Sequence, residues 1–280
     1  TTSSGATRIE LSGNGIDGSV VLKRLTTSVT DAAGYDYRFQ IVSPYEITGG
    51  TDLDSKYFVN LSGLNATEII SVNTSDEGLK NMGLLNPAHT VKFTLDDKFY
   101  EMHVGNETDG SYFVRLGDSR TVFVVTADNL PWIKATLATL LPRTPFAPVI
   151  NDISSMTVTG GGKSYTFGFT GTVDSDLKVT AGSTSIDYAN ITNFYRFVAL
   201  TKGDDSSAGK KKGEVLLTVT YKYRDTSKPD HVLTFYRADG YSAIMSVNGV
   251  ANFTVSTSYL DKILADAETV SQNKATSLLW

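Results

Sequence analysis

Two stretches of this chain repeat one another at a fixed distance. Asp109-Gly110 recurs as Asp239-Gly240, Asp128 as Ser258, Leu130 as Leu260 and Ile133 as Ile263, each 130 residues on. Tyr112 and Tyr241 stand one residue closer because Ser111 has no counterpart, and the full spacing returns by Phe123 and Phe253. A single deletion absorbed in a turn is ordinary loop behaviour. A repeat of this length marks duplicated folding units, not a short-period solenoid. The 280 residues divide into two units of ordinary domain size, 1–145 and 146–280, each able to bury its own core.

The hydrophobic fraction of 40% and charged fraction of 20% exclude a disordered chain, and the wealth of Thr, Val, Tyr and Phe favours strands. A net charge of −5 opposes the polyanionic backbone of nucleic acid, so no nucleic-acid partner is expected. Cysteine is absent, which removes disulfides, thiolate nucleophiles and thiolate metal ligands together. No apolar run is long enough to span a bilayer. The polar start at Thr1 fits either a soluble chain or one whose export segment precedes it.

In the first half, 8–11, 20–25 and 37–47 read as strands. Leu53, Tyr57, Leu61 and Leu64 have helical spacing, 68–72 reads as a strand, and Ser75 starts a short helix that ends before Pro87. Val91, Phe93 and Leu95 alternate with Lys92, Thr94 and Asp96. This is the first strand of a four-stranded antiparallel meander that continues through 99–104, 112–116 and 121–126. Asp128 is placed to cap a helix whose Leu130, Ile133, Leu137, Leu140 and Leu141 form one face, and the prolines of 142–148 suggest a linker. The second half replays the order. A hairpin turns at Gly160-Gly161-Gly162, a helical stretch carries Ile186, Ala189, Asn190 and Phe194, and a strand is expected at 196–200. A second meander begins at Val215, and Ser258 with Asp261 forms a capping box for a final helix. Residues 202–213 read as an exposed, mobile loop. The fold class expected is α+β: two pseudo-equivalent repeats, each an antiparallel meander covered by helices.

Leu79-Lys80-Asn81-Met82-Gly83-Leu84-Leu85-Asn86-Pro87-Ala88 resembles the Y-G-L-x-x-P entry to a hairpin in one bacterial family. Val104 to Leu116 resembles its I-G-x-x-x-x-x-G-x-Y-V-R segment, and 121–125 its closing V-Y-x-V strand. That family is the domain of unknown function DUF4340, with the similarity best over 51–141. The resemblance implies an extracytoplasmic domain, found on bacterial surfaces or in auxiliary proteins of gliding-motility-type ABC transporters. It brings no catalytic residues.

The residues that could carry chemistry each have a plainer reading. Gly160-Gly161-Gly162-Lys163-Ser164 lacks the first glycine of a phosphate loop, since Thr157 stands there, and a strand comes directly after it, so it reads as a turn. His89, His103 and His231 have no metal-ligand spacing, although Glu101 and His103 share a strand face. Asp52-x-Asp54 and Asp174-x-Asp176 read as solvated turn carboxylates. No Gly-x-Ser-x-Gly elbow exists. Tyr221 and Tyr223 lie on the apolar face of their strand, so at least one belongs to the core, and Lys210-Lys211-Lys212 reads as a solvated loop tip. No catalytic, cofactor-binding or metal residue and no cofactor is expected. The expected function is a non-catalytic interaction or ligand-binding module that engages an unknown protein or envelope ligand, a transporter component among the candidates, with any membrane attachment through a segment outside this chain. The alternatives are a cell-envelope glycan-active enzyme using carboxylates such as Glu101 or Asp118, and a polysaccharide-binding surface protein.

Overall fold

The computed structural model describes residues 5–13, 16–171, 176–204 and 212–277. The chain forms two compact units, one of Thr1–Val29 with Tyr37–Pro142 and the other of Thr30–Asp36 with Arg143–Trp280. Each unit is built on one antiparallel sheet, and helices are few.

The first sheet contains β1 (Arg8–Gly13), β2 (Ile16–Thr30), β3 (Asp36–Ser43), β4 (Ile47–Thr48), β5 (Glu68–Ser71), β6 (His89–Leu95), β7 (Lys98–Thr108), β8 (Ser111–Leu116) and β9 (Val122–Thr126). Between β5 and β6 lies the short helix α1 (Asp76–Asn81), and after β9 comes the single turn of α2 (Leu137–Leu140). The second sheet contains β10 (Ile153–Gly160), β11 (Lys163–Thr170), β12 (Lys178–Ala181), β13 (Thr184–Ile186), β14 (Val215–Tyr223), β15 (His231–Arg237), β16 (Ser242–Val247) and β17 (Ala251–Ser256). Two longer helices, α3 (Tyr188–Ala199) and α4 (Thr257–Ser271), belong to the second unit.

The strand orders match. The first sheet runs β4-β3-β2-β1-β6-β7-β8-β9-β5 and the second β13-β12-β11-β10-β14-β15-β16-β17, so the two are alike except for β5. This shared order fits a duplication. A further correspondence falls on two glycines that no constant offset reveals. Gly13 ends β1 opposite His89, and Gly160 ends β10 opposite Leu217. A Cβ at Gly13 would lie 2.2 Å from the Ala88 carbonyl oxygen, and one at Gly160 2.7 Å from that of Leu216. At the same joint of both sheets the neighbouring backbone comes too close for a side chain.

The turns explain how one dipeptide serves two geometries. Asp109 and Gly110 both have positive φ (47° and 73°), the requirement of the tight hairpin turn that joins β7 to β8. At the equivalent joint between β15 and β16, Asp239 instead uses its carboxylate, whose Oδ1 accepts from the backbone N–H of Tyr241 and Ser242 at 2.9 and 2.8 Å. The expected hairpin at Gly160-Gly161-Gly162 forms, with Gly161 and Gly162 at φ 55° and 75°. Ser75 caps α1 by accepting from the Gly78 N–H at 3.1 Å.

Several expected elements differ. The stretch at 54–62 is a π turn (Asp54–Phe58) followed by a 3-10 turn (Val59–Ser62), still burying Leu53, Tyr57 and Leu61 as the spacing required. No continuous helix runs on from Asp128. The chain makes two 3-10 turns, Ala127–Asn129 and Pro131–Lys134, before α2, because Pro131 brings no N–H and Thr136 opens a new start with its own capping box to Thr139. Asp128 makes no side-chain cap there. The expected strand at 196–200 is the second half of α3: Ile191, Phe194, Tyr195 and Val198 are buried at spacings of three, one and three, the inner face of a helix. In α4 the cap position is Ser256, not Ser258, and no side-chain capping bond forms there. The Ser256 and Ser258 hydroxyls instead lie 2.6 Å apart. Leu260, Ile263 and Ala267 are buried as expected.

Candidate functional site

In β6, Val91 and Phe93 are buried on one face, which turns Thr90, Lys92 and Thr94 to the other. Register then extends this polar face across three strands. Lys92 stands opposite Glu101 and Thr90 opposite His103 on β7, and His103 stands opposite Arg115 on β8. On its other side Lys92 pairs in register with Glu10 of β1, whose carboxylate lies 3.8 Å from Arg8. The result is a row of charged side chains across neighbouring strands, in which residues directly opposite have Cβ atoms roughly 5 Å apart.

Glu101 is the hub. Its Oε1 lies 2.8 Å from His103 Nε2 and 3.9 Å from Lys92 Nζ. The His103 side chain is only 12% exposed. Its second ring nitrogen, Nδ1, is buried without a hydrogen-bond partner, and so is Nε of Arg115 across the strand. Leu79, Leu84 and Val122 form a small apolar cluster with Met82 and with Phe113, two residues before Arg115 on the same strand. Gly105 permits a close crossing of β7 here, since a Cβ on it would come within 2.1 Å of the Met82 carbonyl oxygen.

The other histidines sit elsewhere. His89 is buried with its ring edge-on to Trp132 at 6.4 Å, and burial lowers its pKa. His231 stands opposite Tyr221 across β14 and β15. Burial pushes His231 down to about 4, against the opposing effect of a hydrogen bond to the Phe146 backbone. His231 Nε2 and the Tyr221 hydroxyl are both buried without a partner, while Tyr195 donates its hydroxyl proton to the Pro148 carbonyl at 2.5 Å. Desolvation raises the Tyr195 and Tyr221 phenols. Among the described residues no three His, Asp or Glu side chains converge as a metal site.

The remaining candidates resolve singly. Asp54 is not a solvated turn carboxylate: it holds Arg24 through two contacts at 2.7 and 2.5 Å, and the guanidinium lies 4.4 Å from the Phe39 ring centre. Asp118 is exposed, and Lys163 pairs with Glu268 at 2.9 Å. Tyr221 is core and Tyr223 half-buried. Asp174, Lys210 and Lys211 lie outside the described residues. Lys212 is exposed, and its ammonium sits 4.9 Å from the Tyr236 ring centre and donates to the Ser246 hydroxyl at 3.3 Å. The stretch 202–213 is anchored at both described ends. Gly203 is buried against Phe253, Asp204 forms a single bridge to Thr254 of β17, and Gly213 donates to the Arg237 carbonyl.

The residue pattern of 68–72 reveals β5 but not its position. It is the outermost strand of the first sheet, bonded on one side to β9, and it carries Ile69, Ile70 and, just beyond, Val72 at 58%, 38% and 74% exposure. Two open grooves belong to the second unit. One, of about 510 Å³, is lined by Arg143, Lys202, Asp204, Ser242, Thr254 and Ser256. The other, of about 580 Å³, lies where Gly161, Glu214, Arg237, Thr257, Asp261 and Leu264 meet. No helix among the described residues is long and apolar enough to cross a membrane.

Two sheets of one strand order define a class, the antiparallel β protein with an internal repeat. More narrowly, the chain belongs to the DUF4340 family, described as a domain of unknown function, whose model matches residues 40–203. The match begins within β3 and ends beyond α3, so it reaches past the 51–141 stretch that carries the sequence resemblance. Comparisons with curated proteins and with solved structures gave no match.

Proposed function

We propose that this chain is a non-catalytic interaction module of a bacterial surface protein, extracytoplasmic and accessory to an ABC-type transporter. The observation that carries the interaction role is β5. An edge strand offers a row of unsatisfied backbone donors and acceptors, and folded proteins usually blunt such edges with charge, proline or cover. Here the edge instead exposes Ile69, Ile70 and Val72, with Glu68 as its one charged residue. In this reading each unit is an α+β repeat whose helical segments cover one sheet face, and the free edge takes an added strand from a partner. The location and the transporter link rest on the family resemblance.

The test is affinity capture from membranes of the source organism with the natural chain and with Ile69→Lys, alongside incubation with envelope glycans and peptides followed by mass spectrometry. Capture of a permease or envelope component by the natural chain alone, without product formation, is the expected result. Turnover abolished by a single Asp or Glu substitution would establish the glycan-active enzyme instead.

A further inference from the structure

We infer that the groove of about 510 Å³ on the second unit binds a phosphate group carried on a small molecule, through Arg143, Lys202 and the start of α4. The inference is independent of β5 and rests on an open groove whose polar groups are unspent. Its volume falls in the range of small-molecule sites, about 300–1,000 Å³, so it has room for more than the phosphate itself. Arg143 and Lys202 are both exposed, and neither forms an ion pair among the described residues. Both residue types are cations at neutral pH. Asp204 is the one carboxylate among the lining residues, so the cations outnumber it.

Main-chain bonds hold these groups together. The Gly203 N–H donates to the Arg143 carbonyl at 2.9 Å, and Asp204 exchanges two bonds of 3.0 Å with Thr254 of β17. Ser256 follows Thr254 by two residues on the same strand face, and it is also the cap residue of α4. No side-chain bond caps that helix, so its first turn keeps the partial positive charge and N–H groups that suit an anion. A second observation points to a ligand. Thr254 is only 7% exposed, lines the groove, and has its Oγ1 buried without a hydrogen-bond partner. Leaving such a hydroxyl unmade costs more than making its bond returns. A guanidinium fork, an ammonium, a helix start and a hydroxyl together exceed what the two coplanar oxygens of a carboxylate can accept from. A phosphate ester presents three terminal oxygens in a tetrahedral spread, which serves donors on different sides of one groove.

The test uses the whole chain at constant ionic strength, titrated with inorganic phosphate, glycerol 3-phosphate and acetate, while NMR follows the backbone amides of Gly203, Ser256 and Ser258. Saturable shifts with both phosphates are expected, with acetate weaker. Affinity should fall at least about tenfold in Arg143→Met and in Lys202→Met, and Thr254→Val, which removes the hydroxyl, should weaken it too. A parallel arm sediments the chain with vesicles of phosphatidylglycerol. Binding of glycerol 3-phosphate without sedimentation supports the site with a soluble ester as its source. Sedimentation lost in Arg143→Met supports it with a lipid headgroup as the source. The inference is overturned if no amide responds to either phosphate, if acetate binds more tightly than both, or if the shifts persist in Arg143→Met. Should that variant not fold, Lys202→Met decides by the same readout.

Discussion

The last meander strand is flanked differently in the two sheets. In the first, β9 pairs through Val122, Phe123 and Val124 with β5, which itself becomes an apolar edge. In the second, the equivalent strand β17 is met by one bridge from Asp204, which lies, like β5, between a helical segment and the meander. The helical segments diverge too, with turns at 54–62 and 127–140 in one unit and the continuous α3 and α4 in the other. A shared strand order therefore tolerates wide change both at the sheet edge and in the helical segments between strands, because the sheet's own hydrogen bonds carry the architecture.

The largest effect is expected from removing ring packing between a sheet and its helical segment in each unit. Phe58, in the irregular segment, lies 5.6 Å from Phe39, and Phe194, in α3, lies 5.6 Å from Phe167, both fully buried. Phe58→Ala and Phe194→Ala should each cost about 4 kcal/mol. A much smaller loss for Phe58, read by hydrogen exchange of β3, would show that the irregular segment packs more loosely than the helix.

Acid comes next. His231 is held neutral in the fold, with a pKa of about 4 against an ordinary 6.5. Above pH 6.5 it contributes nothing to the pH dependence. As pH falls from 6.5 to about 4 the unfolded chain gains a proton that the fold refuses, so stability drops by about 3 kcal/mol. Denaturant midpoints for the natural chain and His231→Gln should converge toward low pH. His89 shifts in the same direction, and parallel curves for the two chains would assign the acid sensitivity to it instead.

Gly13→Ala and Gly160→Ala should each lose about 2 kcal/mol, Gly13 the more because its φ of 123° also disfavours a side chain. Unequal tolerance, with Gly160→Ala neutral, would deny that the two joints are equivalent. The smallest effect is expected inside 202–213. Replacing 206–210 by a short Gly/Ser linker should change stability by about 1 kcal/mol or less. Gly203→Ala should cost more, because its Cβ would fall 2.3 Å from that of Phe253. Thermal midpoints in the reverse order would place the anchor within the loop.

Much of the sheet was legible because alternation reports it directly: Val91 and Phe93 against Lys92 and Thr94 fix β6 and its faces. The 196–200 segment was not, since Tyr195, Phe197 and Val198 have strand composition and only the spacing from Ile191 reveals a helix. The 127–141 segment misled in the opposite way, its leucines keeping helical spacing while Pro131 interrupts the hydrogen bonding. Glu101 and His103 could be placed on one face from two-residue spacing alone. Lys92 and Arg115 join them only through inter-strand register, a non-local property that local pattern does not encode. The edge position of β5 is hidden for the same reason.

The paired glycines at Gly13 and Gly160 also bear on the time course of folding. Each sits where an N-terminal hairpin meets a meander distant in sequence, joining β1 to β6 and β10 to β14. Hairpins and meanders close over short loops, whereas these two joints must wait for a long excursion of chain to return. A slip of one position would drive a side chain into a carbonyl oxygen and send every neighbouring residue to the wrong face. The latest and slowest pairing in each sheet is thus also one in which a misregistered encounter is rejected on contact.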